Sequence, residues 1–69
     1  MTSVSLKRYA VACYLAAEEN FREHPTEVWA ADYFLICESR LSRIQSPDLP
    51  IVDTALVQSA RAIINSTQK

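Results

Sequence analysis

Glycine is absent from this 69-residue chain, and proline occurs only at positions 25, 47 and 50. These two residues are the strongest interrupters of helices. Proline lacks a backbone N–H and biases the residue before it away from the α region. The prolines therefore divide an otherwise helix-compatible chain into three segments, and the fold class expected is all-α. Hydrophobic residues make up 49% of the sequence. A body this small has too little interior to hide that much apolar surface, so a partner, either a second copy or another protein, is expected.

Each helix boundary has a local cause. The first helix is expected over 4–23, capped by Ser3 and stopped near His24 because Pro25 follows. The second is expected over 25–45, with Pro25 in the first turn and Glu27 in the favourable field of the helix start. The connection Ser46-Pro47-Asp48-Leu49-Pro50 leads into a third helix over 49–66, with Asp48 the expected cap. All 69 residues are read as one domain without internal repeats.

Periodicity supports three amphipathic helices. At 100° per residue, Leu6, Tyr9, Ala10, Cys13, Tyr14, Ala17 and Phe21 gather on one side of the first. Trp29, Ala30, Tyr33, Phe34, Ile36, Cys37, Leu41 and Ile44 do so on the second. Leu49, Val52, Leu56, Val57, Ala60, Ile63 and Ile64 do so on the third, interrupted by Asp53. The short link at His24 and Pro25 implies an antiparallel hairpin of helices 1 and 2, with helix 3 packed across it. In that hairpin, residues whose numbers sum to about 50 share a level. Phe21 is then expected opposite Trp29, Ala17 opposite Tyr33, and Leu6 opposite Ile44. Cys13 and Cys37 also share a level.

Two apolar sets are left over once these faces are assigned. Val4, Val11 and Leu15 lie on the side of helix 1 that carries Lys7, Glu18 and Arg22, and Val28, Ala31 and Leu35 lie on one side of helix 2. These six are the candidate protein-binding residues, for a homodimer closed over one stripe or for another protein; the alternative is that helix 3 covers one stripe and the other is ordinary exposed apolar surface. Trp29 and Tyr14 are the candidate hot spots, since aromatic residues are enriched in protein interfaces.

The charge layout narrows the partner. With charged residues at 22% and a net charge of -1, neither a strongly basic nucleic-acid binder nor a carboxylate-coated DNA mimic is expected. The hairpin is nevertheless polarised: Lys7, Arg8, Arg40 and Arg43 form a candidate basic patch at its open end, and Glu18, Glu19, Glu23 and Glu27 surround the bend. The opening Met-Thr-Ser-Val-Ser-Leu-Lys-Arg lacks a basic leader followed by an apolar core, and no apolar run approaches the ~20 residues of a membrane span. A cytoplasmic location with no membrane partner is expected.

No cofactor, metal or catalytic site is expected. Two cysteines in a reducing compartment read as small buried hydrophobes. His24 is the only histidine, and a lone histidine beside a proline reads as a turn residue rather than a ligand. No serine has a base and orienter in prospect, and no glycine-rich loop exists to cradle phosphate. The function expected is that of a small dimeric helical module that modulates a partner protein, as inhibitors, antirepressors, adaptors and secretion chaperones do. Motif-free helical proteins of this size are frequent among phage and accessory bacterial regulators, an association rather than a derivation. The alternative is a small transcriptional regulator with a helix-turn-helix-like arrangement, its phosphate contacts made by Lys7, Arg8, Arg40 and Arg43. Two prolines in the second connection and a third helix with Arg61 as its one interior cation make that alternative the weaker one.

Overall fold

The computed structural model describes residues 3–67, with side chains from Leu6 to Thr67. Three helices follow one another: α1 (Ser3–Glu23), α2 (Val28–Ser42) and α3 (Thr54–Thr67). Ser3 is the first helical residue of α1. The residues before it, where a cap would stand, and the side chains of Ser3, Val4 and Ser5 lie outside the described residues.

Helix α1 stops as the sequence dictates. His24 still donates its N–H to the Asn20 carbonyl at 2.9 Å, and Pro25 then ends the ladder. Contrary to the expectation that it would open the second helix, Pro25 sits in a turn closed by the Glu27 N–H on the His24 carbonyl at 3.2 Å. Glu27 has extended backbone (φ -87°, ψ 128°) and its carbonyl accepts the first bond of α2, from Ala31, at 3.1 Å. Helix 2 therefore begins at Val28, three residues later than expected, because the chain needs that turn to reverse. It also ends earlier, at Ser42, where the Arg43 and Ile44 N–H groups bond to the Arg40 and Leu41 carbonyls at 3.2 and 3.1 Å and tighten the last turn.

The largest departure is at α3, which starts at Thr54 instead of residue 49. Asp53, not Asp48, is its cap: the carboxylate accepts the Leu56 N–H at 3.2 Å, and the Asp53 carbonyl accepts the Val57 N–H at 3.1 Å. The polar residue that interrupts the apolar stripe of this segment is thus the residue that ends the connection. Asp48 has a different task. Its carboxylate pairs with Lys7 on α1 and accepts the Ser46 hydroxyl, which holds the connection against the first helix.

Helix α2 is the central element and packs against both α1 and α3. Its buried residues are Ala30, Ala31, Phe34, Cys37 and Leu41. They meet Ala10, Tyr14, Ala17 and Phe21 from α1, and Val57 and Ala60 from α3. Phe34 is the keystone: its ring lies 5.5 Å from that of Tyr14 and 5.7 Å from that of Phe21, and all three are buried. The hairpin register is close to the expected one, since Phe34 stands between two α1 aromatics one turn either side of its level. The rotation of α2 is not. Ala30 and Phe34 of the expected face point inward, but Trp29 and Tyr33, expected opposite Phe21 and Ala17, stand exposed, because α2 must bury one flank under α1 and another under α3. The arc containing Ala31 and Leu35, read from the sequence as surplus, is that second flank.

Asp53 also ties α3 to α1. Its carboxylate accepts Arg22 Nη2 at 2.9 Å, and its N–H donates to the Tyr14 hydroxyl at 3.3 Å, which in turn donates to Glu18 at 3.3 Å. Burial raises the Tyr14 phenol above its ordinary value, and the Leu56 N–H and the Arg22 guanidinium lower the Asp53 carboxyl. The buried end of Tyr14 is thereby satisfied at the rim of the core.

Candidate interaction surface

Three helices with one shared core leave a large apolar face uncovered. Leu6 and Tyr9 on α1 are 55% and 63% exposed, and Trp29, Tyr33 and Ile36 on α2 are 52%, 38% and 44% exposed. Their spacing explains why they lie together. On α1 the series 6, 9, 13, 16, 20, 23 advances by alternating steps of three and four, and on α2 the series 29, 33, 36, 40 does the same. Each is therefore a single stripe along its helix. The two stripes run side by side on the hairpin, on the flank away from α3 and the connection.

Cys13 belongs to the α1 stripe, and Cys37 lies beside the α2 stripe on its core side. Cys37 is buried and Cys13 half-buried, and both are free thiols. The Tyr33 phenol is raised above its ordinary value, first by electrostatic coupling to Cys37 and then by desolvation, with Cys13 and Tyr9 acting in the same direction. Burial raises the Cys37 thiol, and Cys13 adds to the shift. Cys13, Cys37 and Tyr9 are thus all within electrostatic reach of Tyr33. A raised thiol is a poor nucleophile, so Cys37 suits packing better than reactivity. At the bend, Trp29 lies against His24 with ring centroids 5.1 Å apart.

The six protein-binding candidates of the sequence reading are scattered by the structure. Ala31 is fully buried, which corrects it from a surface to an interior role, and Leu35 and Val11 are half-buried against the core. The Val4 side chain lies outside the described residues. Leu15 and Val28 remain exposed, but on different flanks. Val28 lines a shallow depression with Pro25, Thr26, Ala62 and Ile63 beside α3, and Leu15 stands on the α1 flank that the connection approaches. Tyr14, paired with Trp29 as a hot spot, is a core residue with no exposed surface.

The basic patch also divides. Lys7 is paired with Asp48. Arg40 and Arg43 border a second shallow depression with Leu35, Ile36 and Ser39, and Arg8 is exposed on α1. Among the described residues Arg8, Arg40 and Arg43 make no ion pair, and neither do Glu19, Glu23 and Glu27 at the bend; the pairs formed are Lys7 with Asp48, and Arg22 with Glu18 and Asp53. No described helix is long and apolar enough to cross a membrane, and no described cluster of three or more His, Cys, Asp or Glu side chains has a metal-holding arrangement.

Sequence reasoning missed Leu6, Tyr9, Tyr33 and Ile36 as surface residues because they adjoin the true core positions by one step around each helix. Their heptad-like spacing was the available signal. No family model, curated protein sequence or solved structure matches the chain, so the reading of this face rests on its own residues.

Proposed function

We propose that this protein is a small, non-catalytic helical module that acts by binding protein, a modulator of the inhibitor, adaptor, antirepressor or chaperone kind, and that the hairpin face is its binding surface. One observation carries the reading: five large apolar side chains, three of them aromatic, stand between 38% and 63% exposed on one continuous face. Exposed patches of that kind mark interaction sites, and Trp and Tyr are the residues that most often anchor them. The carboxylates Glu19, Glu23 and Glu27 stand exposed at the bend, an environment without the burial that a general acid or base uses. The DNA-binding alternative is the weaker reading, because Lys7 is engaged by Asp48 and three arginines, Arg8, Arg40 and Arg43, are what the open end has left for phosphates.

Photo-crosslinking in the native host tests this directly. A benzophenone amino acid at position 9 or 33 is expected to form protein adducts, either with its own chain or with another, and one at position 15 is not. Absence of any adduct from 9 and 33 would remove the reading.

A further inference from the structure

We infer that the occupant of the hairpin face is a second copy of this chain, packed head to tail so that the acidic bend of each copy meets the basic open end of the other. The inference rests on the reading of this face as a protein-binding surface and adds the identity and orientation of what covers it. Three observations carry it: the area of the face, the spacing of its stripes, and the placement of the unpaired charge.

Consider the area first. Fully exposed aromatic side chains offer ~150–250 Å² each, so the exposed fractions of Leu6, Tyr9, Trp29, Tyr33 and Ile36 come to roughly 500 Å². With Cys13, Ala16, Asn20 and Arg40 lying within the same two stripes, the face approaches the ~800 Å² per partner of a stable interface. A monomer of this size would otherwise leave a patch at the upper end of what soluble proteins expose.

The spacing then limits the geometry. Two adjacent antiparallel helices, each with an alternating three-and-four stripe, present the ridges that pack against another such pair at a shallow angle, as in four-helix bundles. A two-fold axis relating two copies face to face must lie in the plane of the interface. If it runs along the helices, bend meets bend. If it runs across them, α1 packs antiparallel on the α1 of the second copy, α2 packs antiparallel on its α2, and bend meets open end.

Charge selects between the two. Among the described residues, Glu19, Glu23 and Glu27 at the bend and Arg8, Arg40 and Arg43 at the open end make no ion pair. Bend on bend sets six carboxylates against one another and six guanidiniums likewise, an arrangement that like-charge repulsion opposes. Head to tail, Glu19 and Glu23 face Arg8 of the second copy, and Glu27 faces Arg40 and Arg43. Trp29, at the bend end of its stripe, then comes level with the guanidiniums at the far end, where Arg can lie over the indole. Cys13, near the middle of its stripe, falls close to the two-fold axis.

Sedimentation equilibrium on the purified full chain tests the proposal. A mass of twice 7.8 kDa is expected at about 50 µM, with Tyr33→Glu shifting it to one chain at unchanged helix content and Leu15→Glu leaving it dimeric. Reversing Glu23→Arg or Arg8→Glu singly is expected to raise the dissociation constant about tenfold, and the two reversals combined to bring it back near the starting value. A single reversal without effect, or a double reversal without recovery, would overturn the head-to-tail arrangement. A monomer at about 200 µM that still yields photo-adducts with a different protein from positions 9 and 33 overturns the second copy and leaves the protein-binding reading standing. A monomer with no adducts removes both.

Discussion

Phe34→Ala should come close to unfolding the chain. Phe34 is fully buried at the one point where two further aromatic rings, Tyr14 and Phe21, approach within 5.5 and 5.7 Å. Truncating a buried phenylalanine costs about 3–5 kcal/mol. The upper part of that range applies here because the change forfeits two ring contacts as well as burial, each such contact being worth about 1 kcal/mol. For 69 residues the total stability expected from typical per-residue values is only about 3–10 kcal/mol. Urea unfolding followed by far-UV circular dichroism at one fixed protein concentration reads the difference. Phe34→Leu keeps most of the volume and should lose about 1–2 kcal/mol by comparison. If Phe34→Ala shifts the unfolding free energy by less than about 1 kcal/mol, the ring is not buried between its two neighbours and the placement of α2 is wrong.

Three further outcomes follow from contacts elsewhere. Tyr14→Phe removes the hydroxyl that accepts the Asp53 N–H and donates to Glu18, and about 1 kcal/mol of stability should go with it in the same urea assay; an unchanged midpoint would show that the tie between α1 and the start of α3 is idle. Asp48, held down to about 2 by Lys7 and Ser46, and Asp53, lowered by the Leu56 N–H and Arg22, both have folded values below the ordinary 3.8. Their contribution is therefore present above that ordinary value and lost as pH falls from about 4 toward 2, because the unfolded chain takes up protons first. A melting temperature that drops across that interval in the wild type, and drops less in Lys7→Gln, is the expected result. Cys37, buried and with its thiol pushed up, should react with a maleimide at the rate at which the chain opens; labelling of the native chain as fast as in denaturant would contradict its place in the core.

The fold was legible where the sequence carries a local chemical instruction. Pro25 ends α1 where expected, and the apolar periodicity yields three helices in the right order with α1 and α2 as a hairpin. The start of α3 was misread because two aspartates compete for the cap. Asp48 is engaged by Ser46 and by Lys7, and Asp53 by Arg22, and the two cations lie 41 and 31 residues away in sequence, out of reach of a local reading. The surface was harder for a related reason. Trp29 and Ala30, or Tyr33 and Phe34, differ by one step around the helix, and an apolar arc that wide does not say which part of it faces inward. That is decided by α3, which buries Ala31 and leaves Trp29, Tyr33 and Ile36 outside. The polarity of the charges was readable from the start, but that its two ends make no ion pair among the described residues emerged only once Lys7, Glu18 and Arg22 had found partners.

The central claim is that the face formed by Leu6, Tyr9, Trp29, Tyr33 and Ile36 is covered by the same face of a second copy in antiparallel orientation. An isotope-filtered nuclear Overhauser spectrum on a mixture of labelled and unlabelled chains measures this most directly, since it reports contacts between copies alone. The account predicts cross-peaks from the Tyr9 ring to α1 of the other copy near Ala16 and Asn20, and from the Trp29 indole to its Arg40 and Arg43. Cross-peaks confined to Leu15 or Val28, or bend-to-bend contacts such as Trp29 to Trp29, would contradict it.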